Sequence, residues 1–401
     1  MMKKLFIGIG LFAATVGVII AYPMLHKPAQ AKSVTNVAAP QPVLTAKPKT
    51  DKQSLIQLAI LLDTSSSMDG LINQTREQIW QVVNQFAKSK KDGITPVLQV
   101  AVYEYGNNAL DPKTGYIRQV TGLTTELDAV SAALFSLTTN GGEEYCGYVI
   151  REAGRDLEWS TSEDAIKLIF IAGNEPFNQG PVAFEAAIQE AKQKGITVNT
   201  IHAGELSVGN NSGWRNGALL AGGEFMNINH NHVVAHIDAP QDQQLLTLNQ
   251  KLNQTYIPYG TVGAEKAKRQ TLMDEKNRKV SQGLMSKRVI SKASKLYRNE
   301  SWDLVDAAEQ GAVDLDKLSN KQLPKTMEKM SKAEQKAYIA KKSKERKQIQ
   351  EEIGRLSLQR EVYVKEQQRK AEKKDTKTMD QALTSAVLKQ GKAKGYVFES
   401  N

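Results

Sequence analysis

Asp63, Ser65 and Ser67 stand at alternate positions at the end of an apolar run. Residues 58–67 read Leu-Ala-Ile-Leu-Leu-Asp-Thr-Ser-Ser-Ser. One carboxylate and two hydroxyls on a tight turn are hard oxygen donors, which suit Mg²⁺, Mn²⁺ or Ca²⁺ rather than a softer metal. The run before Asp63 is long and apolar enough for a buried strand of a parallel sheet. Ligands of open α/β sheets gather at the carboxyl ends of strands, where Asp63 falls. The plainer reading is a serine-rich turn in which Asp63 or a serine caps the next helix. Two further turns carry oxygen donors: Thr-Thr-Asn-Gly-Gly-Glu-Glu at 138–144 and Gly-Asn-Glu-Pro at 173–176.

The intervening pattern supplies elements that would position these turns. Leu71, Ile72, Ile79, Val82, Val83 and Phe86 share one side of a predicted helix, and 97–103 reads as a second strand. A short edge strand over 116–120, an amphipathic helix over 127–137 and a helix over 145–157 follow. Residues 165–172 form a strongly apolar strand. Pro181 opens a helix to Lys194, where proline fits the first turn, and Gly195 ends it. Strands over 196–201 and 224–228, a short helix over 214–220 and a helix over 239–253 complete the series. Alternation of this kind predicts an α/β fold, a doubly wound, mostly parallel six-stranded sheet. No Gly-rich phosphate loop follows the first strand, so the pattern does not support a nucleotide site.

With Asp-x-Ser-x-Ser at 63–67, this order of strands and helices, and Gly141-Gly142 in the second turn, residues 54 to about 256 resemble a von Willebrand factor type A (VWA) domain. In that family the Asp-x-Ser-x-Ser turn is the first loop of a metal-ion-dependent adhesion site. Its serines bind the ion directly and its aspartate often acts through water. Where the family has a threonine after the glycine pair, this chain has Glu143. Where the family has an aspartate in the third loop, it has Asn174, followed by Glu175. The resemblance thus implies a divalent-cation site (Mg²⁺, Ca²⁺ or Mn²⁺) of Asp63, Ser65, Ser67, Glu143 and Asn174, with Glu144 and Glu175 facing a partner. An integrin-like site keeps one coordination position open for a partner's carboxylate. With Asp63, Glu143 and Glu175 around one ion, its charge is overcompensated and an acidic partner is disfavoured. Gly-Gly-x-Glu-Tyr and Gly-Asn-Glu-Pro loops like these are similar to those of a group of exported bacterial VWA proteins.

Other chemistries find less support. Ser65 has no glycine neighbours and lacks a nucleophile elbow. Glu143 and Glu144 are adjacent, and adjacent side chains diverge, which does not suit paired-acid glycoside hydrolysis. No enzymatic activity is expected. The single cysteine, Cys146, rules out an intramolecular disulfide and a multi-cysteine metal site; it reads as a half-buried residue at a helix start. The His-x-His pair at His230 and His232, with His236, has spacing suited to Zn²⁺ or Cu²⁺. Only Asp238 lies near, so this reads as a solvated loop. His202 falls inside a strand and reads as a core histidine.

The ends of the chain differ from its middle. Lys3-Lys4, the apolar stretch 5–22 and Ala29-Gln30-Ala31 read as a signal peptide cleaved after Ala31, or alternatively as an uncleaved anchor. Either implies an exported protein of the periplasm or cell envelope. Residues 32–52, rich in Pro, Ala, Lys and Thr, read as a flexible tether. Residues 53–256 are the expected VWA domain. Residues 257–322 are a helical extension docked on it through Trp302 and Leu304. Residues 323–401 are a basic helical region. Its long helix starts at a Ser331–Glu334 capping box and carries a sparse stripe of Tyr338, Ile339, Ile349, Ile353, Leu356, Val362 and Tyr363, enough to seed a hairpin or short coiled coil. Residues 261–401 hold 33 Lys+Arg and 20 Asp+Glu, which leaves 20 basic and 23 acidic residues in 1–260. All of the excess positive charge is therefore C-terminal. It reads first as a solvated face and next as contact with an anionic surface. Nucleic acid is not expected, since no aromatic-interleaved basic patch is present. The expected function is an exported, non-enzymatic binding protein that engages a cell-envelope protein through the turns at Asp63, Glu143 and Asn174. The alternative is a scaffold acting through the basic helices.

Overall fold

The computed structural model describes residues 54–68, 72, 80–228, 237–371 and 379–398. The expected targeting segment and tether, and His230, His232 and His236, lie outside the described residues. The strands are β1 (Leu55–Asp63), β2 (Ser89–Lys90), β3 (Val97–Tyr105), β4 (Ile117–Thr124), β5 (Ile166–Gly173), β6 (Thr197–Ala203), β7 (Phe225–Ile228) and β8 (Val397–Phe398). Six of them form one sheet in the order β4-β3-β1-β5-β6-β7, parallel except for the antiparallel edge strand β4.

Both faces of the central strands are covered, which explains their unbroken apolar sequences. Side chains alternate across the sheet with period two. Ile56, Leu58, Ile60 and Leu62 join Leu98, Val100, Leu168 and Phe170 on one face. Ala59, Leu61, Ala101, Tyr103, Ile169 and Ile171 face the other way. Register sets Asp63 beside Tyr105 and Leu62 beside Ala172. The carboxyl ends of β1, β3 and β5 therefore finish level, at one rim.

The helices are α1 (80–87), α2 (Leu127–Ser136), α3 (Cys146–Asp156), α4 (Phe184–Gln193), α5 (Leu206–Asn211), α6 (Trp214–Ala221), α7 (Asp242–Asn253), α8 (Gly263–Val280), α9 (Gln282–Lys292), α10 (Leu304–Glu309), α11 (Lys332–Ala371) and α12 (Met379–Ala393). The helix expected over 261–298 is two. Ser281 is extended (φ −164°, ψ 157°), and its hydroxyl accepts from Leu284 N–H at 3.0 Å, so it ends one helix and caps the next.

The C-terminal region is not an appendage. Leu383, Ala386, Val387 and Tyr396 enter the first-face core together with Ile201 and Met226. Gln390 donates to Asn199 on β6 at 2.7 Å, and β8 pairs with β2. Residues 379–398 thus pack on the core of the six-stranded sheet, and their last strand makes a separate two-stranded ladder with one more than 300 residues earlier. The stripe on α11 serves two clusters. Ile339 packs with Ile257, Leu304, Val305 and Met327, while Ile353 and Leu356 pack with Leu245, Leu252, Met285 and Val289 of α7 and α9. Leu358 and Val362 remain exposed. Trp302 and Leu304, the expected docking anchors, are buried.

A buried charge cluster joins the helices to the domain. Asp274 of α8 accepts from Arg288 at 2.7 Å and from Lys292 at 2.9 Å, and Arg288 also pairs with Asp128 of α2 at 2.7 Å. Four full charges inside a helical layer persist only because each is paired and hydrogen-bonded. Among the described residues no helix is long and apolar enough to cross a membrane.

Candidate metal centre at the sheet rim

Asp63 is the last residue of β1 and is 1 % exposed. Its Oδ1 accepts the Ser65 N–H at 2.7 Å, closing an Asx turn. The turn is held from below, where Thr64 N–H donates to the Tyr105 carbonyl at 2.8 Å. This geometry places the Ser65 and Ser67 hydroxyls 3.0 Å apart. Asp63 Oδ2 has no hydrogen-bond partner. It faces Gly173 at the head of the third turn, where a Cβ would lie 3.2 Å from it.

The second turn is stitched to the first. Asn140 N–H donates to Thr64 O at 3.0 Å, Asn108 N–H to Gly141 O at 2.8 Å, and Asn107 Nδ2 to Thr138 O at 2.8 Å. Two glycines make this approach possible. A Cβ on Gly142 would sit 2.5 Å from the Gly106 carbonyl oxygen. Gly106 is left-handed (φ +73°), and a Cβ there would meet Asp63 Oδ1 at 2.8 Å and Glu144 Cγ at 2.9 Å.

Here two neighbouring acids take positions opposite to those expected. Glu143, expected to ligate the cation, is exposed and turned toward Tyr145. Glu144, expected at the partner face, is buried, and its Cγ and Asp63 Oδ1 meet at the same face of Gly106. The cause is backbone geometry: residues 138–145 are not helical, so the phase of α3 does not extend back to them.

The third turn reaches the same place. Ser67 Oγ donates to Asn174 Oδ1 at 3.0 Å, and Asn174 Nδ2 donates to Glu175 Oε1 at 3.3 Å. Trp214, fully buried, donates to the Glu175 carbonyl at 2.8 Å, and Phe177 N–H to Ser212 O at 2.8 Å. Tyr105 OH ties the strand ends together by donating to Ala172 O at 3.0 Å. Asp63, Ser65, Ser67, Glu144 and Asn174 thus share one rim, and Glu175 flanks it half-buried. Gly106, Tyr105 and Trp214 have no signature in the motif. A glycine directly after a strand is the one local sign that a close approach is required there.

Burial pushes the Asp63 carboxyl up to about 7, with Glu144 and Glu175 adding to the rise. Burial likewise pushes Glu144 up to about 7, with Glu175 next in effect. Two acids this close in a dry place repel as anions, so the rim is short of positive charge. Burial also raises the Cys146 thiol and the Tyr105 hydroxyl, so both are neutral; Cys146 is fully buried rather than half-buried. Among the described residues no three His, Cys, Asp or Glu side chains gather as a ready ligand set. The rim instead combines two carboxylates with hydroxyl and amide oxygens. That donor set, with an unpartnered buried Oδ2, fits a hard divalent cation. His202, as expected, is a core residue, its Nδ1 2.8 Å from Asn227 Oδ1.

Residues 57–213 match the family model of the von Willebrand factor type A domain. This segment is a VWA domain. A VWA domain is compatible with protein–protein interaction. Several solved VWA-type structures are similar. Proximal thread matrix protein 1 from the mussel byssus, with a zinc-occupied MIDAS motif, is 17% identical over 45% of this chain and 43% of that chain, with a TM-score of 0.35. A VWA protein from Catenulispora acidiphila is 19% identical over 44% and 39%, TM-score 0.33. BatB from Bacteroides thetaiotaomicron is 16% identical over 43% and 90%, TM-score 0.33. The match thus spans less than half the length of the mussel protein. A comparison with curated proteins finds no match.

Proposed function

We propose that this chain is an exported binding protein of the cell envelope. Its VWA domain holds a hard divalent cation (Mg²⁺, Ca²⁺ or Mn²⁺) and engages a partner protein through the rim of the sheet. The observation that carries this reading is Asp63 Oδ2, buried and without a partner, beside the paired hydroxyls of Ser65 and Ser67. An orphaned buried carboxylate oxygen costs several kcal/mol by order of magnitude unless something positive satisfies it. Asp63, Ser65, Ser67, Glu144 and Asn174 would hold the ion, which would supply a fixed positive charge and orient the three turns. The exposed Ser66, Ser67, Asn108 and Glu143 on this rim supply polar contacts for a partner.

Calorimetric titration of Mg²⁺, Ca²⁺ and Mn²⁺ into the full chain tests the site. Pull-down from envelope extracts, with and without chelator and with Ser65→Ala, tests the partner. Absence of heat and of any thermal shift with all three ions would sink the cation reading. Capture that ignores both chelator and the serine would move recognition elsewhere.

One observation favours a second contact. Lys321, Lys325, Lys329 and Lys344 are exposed around the start of α11 and form no ion pair among the described residues. Such lysines suit an anionic surface, and salt-dependent binding to vesicles containing anionic lipid is the measurement.

A further inference from the structure

We propose that Glu144 is a built-in carboxylate ligand of the rim, filling the coordination position that an open adhesion site leaves for a partner's acid. The inference rests on the cation reading above and concerns how that site is completed. Three observations converge on it. Glu144 is 8 % exposed, and its Cγ lies against the bare Cα of Gly106, where any side chain would displace it. The Ser65 hydroxyl, one of the expected ion ligands, is near enough to favour its ionised form. Asp63 Oδ2 is buried and unpartnered, and the other oxygen of the same carboxyl meets the same bare face of Gly106 as the Glu144 Cγ.

The position of Glu144 is set by backbone rather than by a mobile loop. The 138–144 turn is held by Asn140 N–H to Thr64 O and Asn108 N–H to Gly141 O, and Gly142 is pressed against Gly106. Cys146, two residues on, is fully buried at the start of α3. The carboxylate is therefore preorganised, and an ion meets it without a loop closure. Asp63 and Glu144 together neutralise a divalent charge, and Glu175 adds further negative potential. A partner's carboxylate then gains little from the ion. Recognition falls instead to the exposed rim, and the partner residue seated over the centre is basic or neutral rather than acidic. Glu143, one residue away, plays no part in coordination.

The test uses Mn²⁺ as the probe, with electron paramagnetic resonance for affinity and water-proton relaxation for the number of bound waters. The full chain is compared with Glu144→Ala, Glu144→Gln and Glu143→Ala, with and without millimolar acetate as a free carboxylate. Circular dichroism checks folding, and the near-isosteric Glu144→Gln keeps the test valid should the alanine variant misfold. The expected result is a loss of affinity of about 10- to 100-fold in both Glu144 variants. At least one extra bound water is expected in Glu144→Ala, and acetate should restore part of its affinity. Glu143→Ala and the parent protein should ignore acetate. If the parent binds Mn²⁺ and the Glu144 variants match it in affinity and hydration, the built-in ligand is refuted while the cation site stands. If the parent takes up no Mn²⁺, the site itself is refuted and the ligand assignment with it.

Discussion

Asp63→Asn should make the ion-free protein more stable while destroying its response to cations. The side chain is 1 % exposed. Burial, then Glu144 and Glu175, lift its carboxyl from 3.8 to about 7. A rise of that size sets a ceiling of about 4 kcal/mol on what ionisation costs the folded chain. The sign follows from where the proton sits. Between about pH 4 and pH 7 the folded chain keeps a proton that the unfolded chain has released. Stability conferred by the protonated acid is therefore lost as pH rises through that window, and the loss is complete above it. Asparagine keeps the Oδ1 acceptor for the Ser65 N–H. It also puts an amide N–H₂ where Oδ2 stood, and an unmet buried donor costs about 1–3 kcal/mol. The expected net gain at pH 8 in chelator is about 1–3 kcal/mol by these same magnitudes. At pH 4.5 the gain should vanish or reverse. Urea unfolding followed by circular dichroism at both pH values, with chelator and with Mg²⁺ or Mn²⁺, measures it. A variant no more stable than the parent at pH 8, or a gap independent of pH, would refute the reasoning. So would a variant that still gains stability from the ion.

Three further outcomes are expected. Gly142→Ala drives a Cβ to 2.5 Å from the Gly106 carbonyl; it should cost about 1–3 kcal/mol and weaken cation binding, and unchanged melting and titration would contradict the account of the second turn. Asp274→Leu leaves Lys292 buried without its carboxylate and should cost about 3–5 kcal/mol, with Lys292→Met in the same chain recovering part of the loss in a double-mutant cycle. Burial opposes ionisation of Asp274, but Lys292 and then Arg288 hold it well below the usual carboxylate range. Its stabilisation is therefore present above about pH 4 and fades as pH falls below that, so hydrogen exchange in α8 and α9 should accelerate in acid; protection unchanged at pH 3 would count against this. Ending the chain after residue 378 removes Leu383, Ala386, Val387 and Tyr396 from the core and should yield a protein that binds a hydrophobic dye or aggregates, whereas a well-folded monomer would show that the segment is dispensable.

The sheet was readable in advance because its signals are local. Five apolar runs at strand length, separated by helical patterns, imply a parallel layer, and the shorter run at 116–120 implies its edge. The edge strand runs on to Thr124, since residues 121–124 pair with β3 without carrying an apolar pattern. The first turn was readable for the same reason: Asp63, Ser65 and Ser67 lie within five residues, and the Asx turn that orients them is made by those residues themselves. The break at Ser281 was not, although a serine before a helix is a capping signal, because a charged run with mixed periodicity also fits one continuous helix.

Chain order alone determined that this protein has an α/β domain with a mostly parallel sheet, that its oxygen-donor turns lie at strand ends, and that its excess positive charge is C-terminal. All of these follow from periodicity and composition, which a linear chain displays directly. Tertiary structure decided which of two adjacent glutamates turns inward, because Gly106 and Gly142, 36 residues apart in number, meet only when β3 and the second turn are brought to the same rim. It also decided that residues 379–398 cover the first face of the six-stranded sheet rather than trail from the helix before them. Their apolar side chains could have been satisfied by any uncovered face, and only the assembled sheet shows which face was left open.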